Sequence, residues 1–245
     1  MVAIILAYHD REAQLLNTLE SFQDYKDIEV VIVNDSKPLK LKHYSFNIQE
    51  IRIKKKSWIN PGVNFNIGFG YAMEMEPNAV IIQNPECCHV GDVVGEVREK
   101  LTDSNYLSFA CYSLGKEQDI TFRDFNNRTA ISNGDSAWYN HSIYRPEALH
   151  FCCAIKTDNL RKINGFDENF ADGLGYEDNY FVHQVRMAGL KIEFVDNPYV
   201  LHQYHYDKKA FTFDAELYAR TGQLCESLKR KKTFRAEHPL TKTDL

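Results

Sequence analysis

Blocks of apolar residues alternate with polar blocks along the first half of the chain. Val2 to Ala7 and Ile28 to Val33 are continuous apolar runs rich in β-branched residues, which predict strands buried on both faces. Between them, apolar residues recur at helical spacing from Arg11 to Gln23, which predicts an amphipathic helix. A strand, a helix and a second strand in this order predict a βαβ unit with parallel strands.

The same alternation predicts most of the remaining elements. Further strands are expected at Ile51–Ile53, Ala79–Gln83, Tyr106–Tyr112, His150–Ile155 and Ile192–Val195. Helices are expected at Pro61–Met75, Val90–Lys100, Thr157–Ile163, Glu177–Ala188 and within the tail Phe211–Arg235. The pattern predicts a single α/β domain over residues 1–245, Rossmann-like in its first half.

A polar, aromatic and asparagine-rich segment from Gly115 to Ala148 interrupts this periodicity. Such a segment inside a compact domain is more often a functional loop than a scaffold element. It contains Trp138, Tyr139 and His141, whose rings can pack on the C–H faces of a sugar. Trp138 could equally anchor the loop in the core. The predicted organisation is a nucleotide half (residues 1–114), an acceptor half (115–205) and a helical tail (206–245).

Composition and charge narrow the class of protein. The 245 residues are 44% hydrophobic and 26% charged, as in ordinary globular proteins, and the net charge of -5 argues against a nucleic-acid partner. Six cysteines without metal-finger spacing indicate reduced thiols and a cytoplasmic location. No apolar run reaches the ~18 residues of a membrane span. The basic run Lys229 to Lys232 is either a peripheral contact with an anionic membrane or a solvated helix end.

Polar residues follow the first, second and fourth predicted strands, where open α/β sheets bind ligands. Tyr8, after the first strand, can stack on a base. Asp35, after the second, can accept hydrogen bonds from a base or a ribose hydroxyl. The alternative for Asp35 is a turn residue whose side chain satisfies local backbone donors.

A metal site is suggested by Asn84-Pro85-Glu86 and by His202 and His205. Glu86 offers the hard oxygen ligand that Mg²⁺ or Mn²⁺ needs when it bridges substrate phosphates, or else it is a solvated residue in a proline turn. The two histidines are three positions apart and can reach the same ion, although His after a strand is more often a surface or packing residue.

Two carboxylates follow a glycine turn at the start of a predicted helix, in the segment Gly173 to Asp178. Asp178 is the candidate general base that removes a proton from an acceptor hydroxyl, and Glu177, with Gly175 in the turn, is the candidate acceptor-binding residue. The alternative is that both acids only complement the helix dipole, which is worth roughly 0.3–1 kcal/mol.

Four segments make the chain, from Val2 to about His205, resemble the GT-A glycosyltransferases, particularly the inverting family 2 enzymes. They are VAIILAYHDREAQLLNTLESF, VVIVNDSKP, NPGVNFNIGFGYAME and INGFDENFADGLGYEDNYFVHQVRMAGLKIEFV. The Gly-Tyr-Glu-Asp segment within the last is similar to the C-terminal half of galactosyltransferases. The resemblance implies a GT-A fold with a mixed central sheet.

The resemblance also implies an activity. A sugar passes from a nucleotide-diphosphate sugar, UDP-sugar favoured, to a hydroxyl of a glycan or other acceptor with inversion, and Mn²⁺ or Mg²⁺ stabilises the leaving diphosphate. The expected nucleotide-sugar residues are Ala7, Tyr8, Asp35, Asn66, Gly68 and Asn84. The expected acceptor residues are Glu177, Trp138, Tyr139 and Gly175, with Asp178 as base and Glu86, His202 and His205 at the metal.

One departure from the family pattern opens an alternative. The family has Asp-x-Asp where this chain has Asn84-Pro85-Glu86, so one metal-binding carboxylate is missing. The protein could therefore be a catalytically inactive relative that binds a nucleotide or glycan as a scaffold. A nucleotidyltransferase or a retaining transferase ranks below both, because no glycine-rich basic phosphate loop follows the first strand.

Overall fold

The computed structural model describes residues 1–115, 138–205 and 213–237. The irregular segment predicted from Gly115 to Ala148 thus lies partly outside the described residues, as do the two ends of the predicted tail. The strands are β1 (Val2–Tyr8), β2 (Ile28–Asn34), β3 (Asn47–Arg52), β4 (Ala79–Gln83), β5 (Cys87–Val90), β6 (Asn105–Ser113), β7 (Trp138–Asn140), β8 (Cys152–Lys156) and β9 (Lys191–His202). The helices are α1 (Glu12–Glu20), α2 (Gly62–Glu74), α3 (Val93–Lys100), α4 (Thr157–Ile163), α5 (Glu177–Met187) and α6 (Ala215–Arg230), with a short 3₁₀ helix at Glu168–Phe170.

All these strands belong to one mixed sheet in the order β3-β2-β1-β4-β8-β6-β9-β5, and β7 pairs with β6. The first four in that order are parallel to one another. β8 is antiparallel to both of its neighbours, β4 and β6, and thereby joins the two predicted halves in one sheet. β9 runs parallel to β6 and antiparallel to β5. The boundary near residue 114 remains a prediction.

Helices cover both faces of the sheet, which explains why its central strands are apolar throughout. Along β1, Ile4 and Leu6 point into a core cluster shared with α1 and α3. Ala3 and Ile5, which alternate with these residues, point into a cluster on the other face that is shared with α2, α4 and α5. Side chains alternate across a strand, so a strand buried on both faces needs apolar residues at every position. α6 packs on α5 through a smaller apolar cluster.

The predicted elements match the observed ones where the pattern is strong. β4 and α4 have the predicted bounds, and β1, β2, α1, α2, α5 and β6 differ by a few residues at their ends. The prediction near residue 90 was wrong: Cys87–Val90 is a strand, and α3 begins only at Val93, where the Asp92 side chain accepts from the Gly95 N–H. β3 lies earlier than predicted, and β9 extends past the predicted end to His202.

The predicted basic end of the tail lies at the end of α6. Lys229 is 2.9 Å from a carboxylate oxygen of Glu226, and Lys231 pairs with Glu237. Half of the four-residue basic run is therefore matched by acids, and contact with a membrane remains a prediction. No helix in the described ranges is long and apolar enough to cross a bilayer. None of the six cysteines, all of which are described, forms a disulfide.

Candidate active site

A cavity of about 580 Å³ opens at the carboxyl ends of β1, β2 and β4. Seven of the predicted site residues line it: Ala7, Asp35, Asn84, Glu86, Gly175, Glu177 and Asp178. Several lining residues were not predicted, among them His9, Arg11, Lys56, Trp58, Asn60, Asn64 and His150. The cavity therefore unites strand ends from the first half with the glycine turn from the second.

Asp35 is a buried carboxylate that binds groups from three other segments. Its Oδ1 lies 2.6 Å from His9 Nδ1, and its Oδ2 accepts hydrogen bonds from Lys56 Nζ at 2.6 Å and Asn64 Nδ2 at 3.0 Å. Burial by itself raises the pKa of Asp35, but these hydrogen bonds outweigh burial and hold the pKa below its usual range. The local turn is instead satisfied by Asn34, whose Oδ1 accepts from the Ser36 N–H. Asp35 is thus not the turn residue of the alternative interpretation.

The structure places Tyr8, a predicted nucleotide-site residue, outside the cavity lining. Its neighbour Ala7 lines the cavity, and strand alternation sends the Tyr8 ring to the other face of the sheet. There the ring is only 3% exposed, among the core residues of α1. It does not line the cavity, so it is not placed to stack on a bound base.

Asn66 and Gly68, also predicted near the donor, make packing contacts on α2. The Asn66 amide donates to the Phe166 carbonyl and to Glu168 Oε1, and its oxygen accepts from the Phe166 N–H. A Cβ at Gly68 would lie 2.4 Å from a methyl carbon of Ile5, so glycine allows α2 to approach β1 closely. Neither residue lines the cavity, and their role near the donor stays a prediction.

The predicted metal ligands meet in space. The Nε2 atoms of His202 and His205 lie 3.2 Å and 3.3 Å from Glu86 Oε1, and one ligand atom from each residue falls within 4.8 Å of the others. The antiparallel pair β5 and β9 causes this, since Cys87 is opposite His202 in the register. The Gln203 backbone N–H and side chain both donate to the Glu86 carbonyl and fix the two segments together.

The donor set of this cluster fits a divalent transition metal. Imidazole nitrogens and a carboxylate together suit Mn²⁺ or Zn²⁺ better than Mg²⁺, which prefers oxygen ligands only. Burial raises the pKa of Glu86, but hydrogen bonds from the two imidazoles and the charge of Arg11 lower it well below its usual range. The buried Oε2 of Glu86 has no hydrogen-bond partner within the described part of the chain, which suits a ligand atom.

Arg11 forms an ion pair inside this cluster that the sequence did not predict. Its Nη1 lies 2.5 Å from Glu86 Oε1, the same oxygen that both imidazoles approach. Arg11 immediately precedes α1, and its side chain is 36% exposed, whereas that of Glu86 is 2% exposed. The only signal in the sequence was its place shortly after the first strand.

Glu177 and Asp178 begin α5 and differ in their environments. Gly175 has a φ of +70°, a conformation open to glycine, and turns the chain into the helix. Glu177 is 6% exposed, and its Oε2 accepts from Asn60 Nδ2 at 2.8 Å. Burial, with the nearby charge of Asp178, raises the pKa of Glu177 to about 7. The Asp178 side chain is more open, at 19% exposure.

His150 is a further cavity residue that was not among the predicted site residues. Its Nδ1 lies 3.9 Å from Asp178 Oδ2, and within the described residues this nitrogen has no hydrogen-bond partner. The imidazole is held between the rings of Phe65 and Phe166, with centroids 5.1 Å and 5.3 Å away. Burial lowers its pKa, which favours a neutral ring. The sequence placed it at the start of the predicted strand His150–Ile155, whereas β8 begins only at Cys152 and His150 lies in the preceding loop.

The predicted acceptor aromatics lie outside the cavity lining. Trp138 is 7% exposed and packs edge-to-face on Tyr112, with ring centroids 5.0 Å apart, so the structure supports its core alternative. Tyr139 contacts the rings of Phe151 and His202, with centroids 4.8 Å and 5.0 Å away. Tyr139 therefore packs against the cavity wall at Phe151 and against His202, and the acceptor role of both rings stays a prediction.

Comparisons with known proteins identify the fold. A family model described as the N-terminal domain of galactosyltransferase matches residues 124–206. The crystal structure of S. aureus TarS 1-349 in complex with UDP-GlcNAc matches with a TM-score of 0.63 and 13% identity, over 98% of this chain and 68% of that one. No curated protein matches at the sequence level.

Two further TarS crystal structures give the same fold. A second crystal structure of S. aureus TarS 1-349 matches with a TM-score of 0.56 and 14% identity, over 82% of this chain and 60% of that one. A structure named only as S. aureus TarS matches at 0.53 and 15%, over 83% of this chain and 36% of the other. The chain has the GT-A fold. It spans 60% and 68% of the length of the two TarS 1-349 structures.

Proposed function

We propose that the protein transfers a sugar from a nucleotide-diphosphate sugar, UDP-sugar favoured, to a hydroxyl of a glycan or other acceptor, with inversion. The observation that carries the proposal is that one cavity collects Asp35, Glu86 and the Glu177-Asp178 pair. These are the groups such a transfer needs for the nucleotide, the diphosphate and the acceptor. The fold shared with TarS, which was crystallised with UDP-GlcNAc, adds support.

On the nucleotide side, Asp35 is the proposed acceptor of hydrogen bonds from the base or ribose. A carboxylate has about four lone-pair positions, so its three present contacts leave capacity for a ligand. Lys56 and His9 hold the carboxylate in place. Ala7 and Asn84 complete the wall that faces the donor.

Glu86, His202 and His205 are the proposed ligands of a divalent cation, which would neutralise charge on the leaving diphosphate. Mn²⁺ suits the donor set best among the ions expected from the sequence. The chain itself fixes the ligands through the β5 and β9 register and through Gln203. Tyr139 stacks edge-to-face on His202 and restrains its ring.

On the acceptor side, Asp178 is the proposed general base. Its carboxylate removes the hydroxyl proton as that oxygen forms a bond to the anomeric carbon, while the bond to the diphosphate breaks on the opposite face. A single displacement of this kind inverts the anomeric centre. Glu177, protonated below about pH 7, is suited to hold an acceptor hydroxyl rather than to take its proton. The His150 ring lies beside this base, with 3.9 Å between its Nδ1 and Asp178 Oδ2.

Replacing Asp178 by Asn tests the base assignment. Transfer from UDP-sugar, followed as UDP release with acceptor present, is expected to fall roughly 10²–10⁴-fold, as for loss of a general base. UDP affinity by calorimetry is expected to stay at the wild-type value, because the proposed role of Asp178 is on the acceptor side of the cavity. Asp172→Asn removes an exposed carboxylate just before the glycine turn and serves as the matched control. Full activity in Asp178→Asn would refute the assignment of Asp178 as the general base.

The missing acid of Asp-x-Asp supports a second candidate, an inactive GT-A scaffold that binds a nucleotide or glycan. A scaffold binds UDP yet releases no nucleotide from any tested nucleotide-diphosphate sugar, with Mn²⁺ and varied acceptors. Turnover of any nucleotide-diphosphate sugar that is lost in Asp178→Asn would favour the transferase over the inactive scaffold.

A further inference from the structure

We propose that Arg11 and a divalent cation are alternative partners of Glu86, so that Arg11 occupies the metal cluster until a diphosphate draws its guanidinium away. The inference rests on the proposed function, because it concerns how that site takes up its metal and donor. It assigns Arg11 as the positioning residue that couples the two.

The geometry places three donors on one oxygen. Arg11 Nη1, His202 Nε2 and His205 Nε2 lie 2.5, 3.2 and 3.3 Å from Glu86 Oε1. An ion bound by Glu86 and both imidazoles would sit among these atoms, directly against the guanidinium. Two positive charges at such a distance repel each other strongly in a buried site. In the inferred exchange, this repulsion drives Arg11 away from Glu86 Oε1 when the ion binds.

Burial explains why Arg11 pairs with Glu86 in the first place. A carboxylate that is 2% exposed is costly to leave without a positive partner. Within the described residues, Glu86 has one arginine and no lysine among its ion-pair partners. Arg11 thus supplies the charge that a metal supplies when bound, and the buried carboxylate is compensated in both states.

The position of Arg11 allows it to move. Arg11 is the N-cap residue of α1, so only its backbone is held by the helix; its side chain lines the cavity and is 36% exposed. A guanidinium released from Glu86 would remain next to the phosphates of a donor held between Asp35 and the metal cluster. Guanidinium binds phosphate oxygens in a bidentate manner, so a diphosphate competes with Glu86 for Arg11.

This exchange predicts cooperative binding. A diphosphate that withdraws Arg11 vacates Glu86 for the ion, and by reciprocity the ion releases Arg11 for the diphosphate. Without Arg11, the ion no longer has to displace a cation. Its affinity in the absence of diphosphate should then rise, and the part of the coupling that passes through Arg11 should disappear.

The test measures Mn²⁺ binding by electron paramagnetic resonance for the wild type, Arg11→Met and the control Arg161→Met, whose arginine makes an exposed pair with Asp158. Arg11→Met is expected to bind Mn²⁺ alone roughly tenfold or more tightly than the wild type, as for removal of one charge from a close buried set. Inorganic pyrophosphate is expected to raise Mn²⁺ affinity more in the wild type than in Arg11→Met. Equal Mn²⁺ affinity in wild type and Arg11→Met overturns the inference.

A measurement on the wild type covers the case in which Arg11→Met does not fold. The arginine Nε–H resonances of the ¹⁵N-labelled protein are followed during titration with Zn²⁺, which the same ligands suit. The Arg11 signal is expected to shift as its contact with Glu86 is lost, and an unchanged signal overturns the inference. Sugar transfer and UDP binding test the proposed function separately, so either idea can fail without the other.

Discussion

Replacing Glu177 by Gln should stabilise the protein at neutral and alkaline pH. Glu177 is 6% exposed and lies next to Asp178, and both burial and that charge disfavour its ionised form. Glutamine has the same shape and keeps an oxygen that can accept from Asn60 Nδ2, the present partner at 2.8 Å. The substitution therefore removes a charge that folding must bury and leaves the hydrogen bond intact.

The size of this stabilisation and the pH range in which it occurs follow from the pKa of Glu177, which rises from 4.5 to about 7 on folding. Between these values the folded state holds more protons than the unfolded state, so wild-type stability falls as pH rises through the window. At ~1.4 kcal/mol per pH unit, the ionised group costs about 3 kcal/mol above pH 7. Glu177→Gln should gain that amount at pH 8 and nothing at pH 4.5.

Urea unfolding of both proteins across this pH range measures the difference. Glu216→Gln, an exposed acid in the first turn of α6, is the matched control and should change stability by less than about 0.5 kcal/mol at every pH. A difference between wild type and Glu177→Gln that does not depend on pH would refute the reasoning. So would a variant less stable than wild type at pH 8.

Two other substitutions test the assigned roles. Gly68→Ala should lower the free energy of unfolding by about 1–3 kcal/mol, because its Cβ would lie 2.4 Å from a methyl of β1. UDP affinity should not change. A selective loss of UDP affinity without loss of stability would instead support a role for Gly68 in the donor site. Lys56→Met should raise the pKa of Asp35, seen by carboxyl ¹³C NMR, because Lys56 donates to its Oδ2. An unchanged titration would contradict that account.

The two carboxylates at the start of α5 are held in an arrangement that lowers the stability of the folded protein. Tyr176, which precedes Glu177, has a φ of +67°, a left-handed conformation that costs a non-glycine residue roughly 1–2 kcal/mol. A strained turn and an acid with a raised pKa at one helix start are features that functional sites retain at the expense of stability. Both support the acceptor side of the proposed function.

Some parts of the site were predictable from local sequence. Asp35 and Glu86 follow buried strands, and parallel strands bring their carboxyl ends to one edge, so their presence in one cavity follows from the order of elements. Glu177 and Asp178 were marked by a glycine turn before a helix. His150 carried no such mark, because it stood at the start of an apolar run that predicted a strand, His150–Ile155, whereas the observed β8 begins at Cys152.

Continuous apolar runs determined β1, β2 and β4 by themselves, because a strand covered on both faces must be apolar at successive positions. Tertiary structure decided which polar residues act together. The pairing of β5 with β9 brings His202 to Glu86, and the approach of α1 adds Arg11 to the same oxygen. Contacts of this kind depend on register and packing between distant segments. A local pattern of residues carries no record of them, since the same side chains are compatible with many partners until the sheet is assembled.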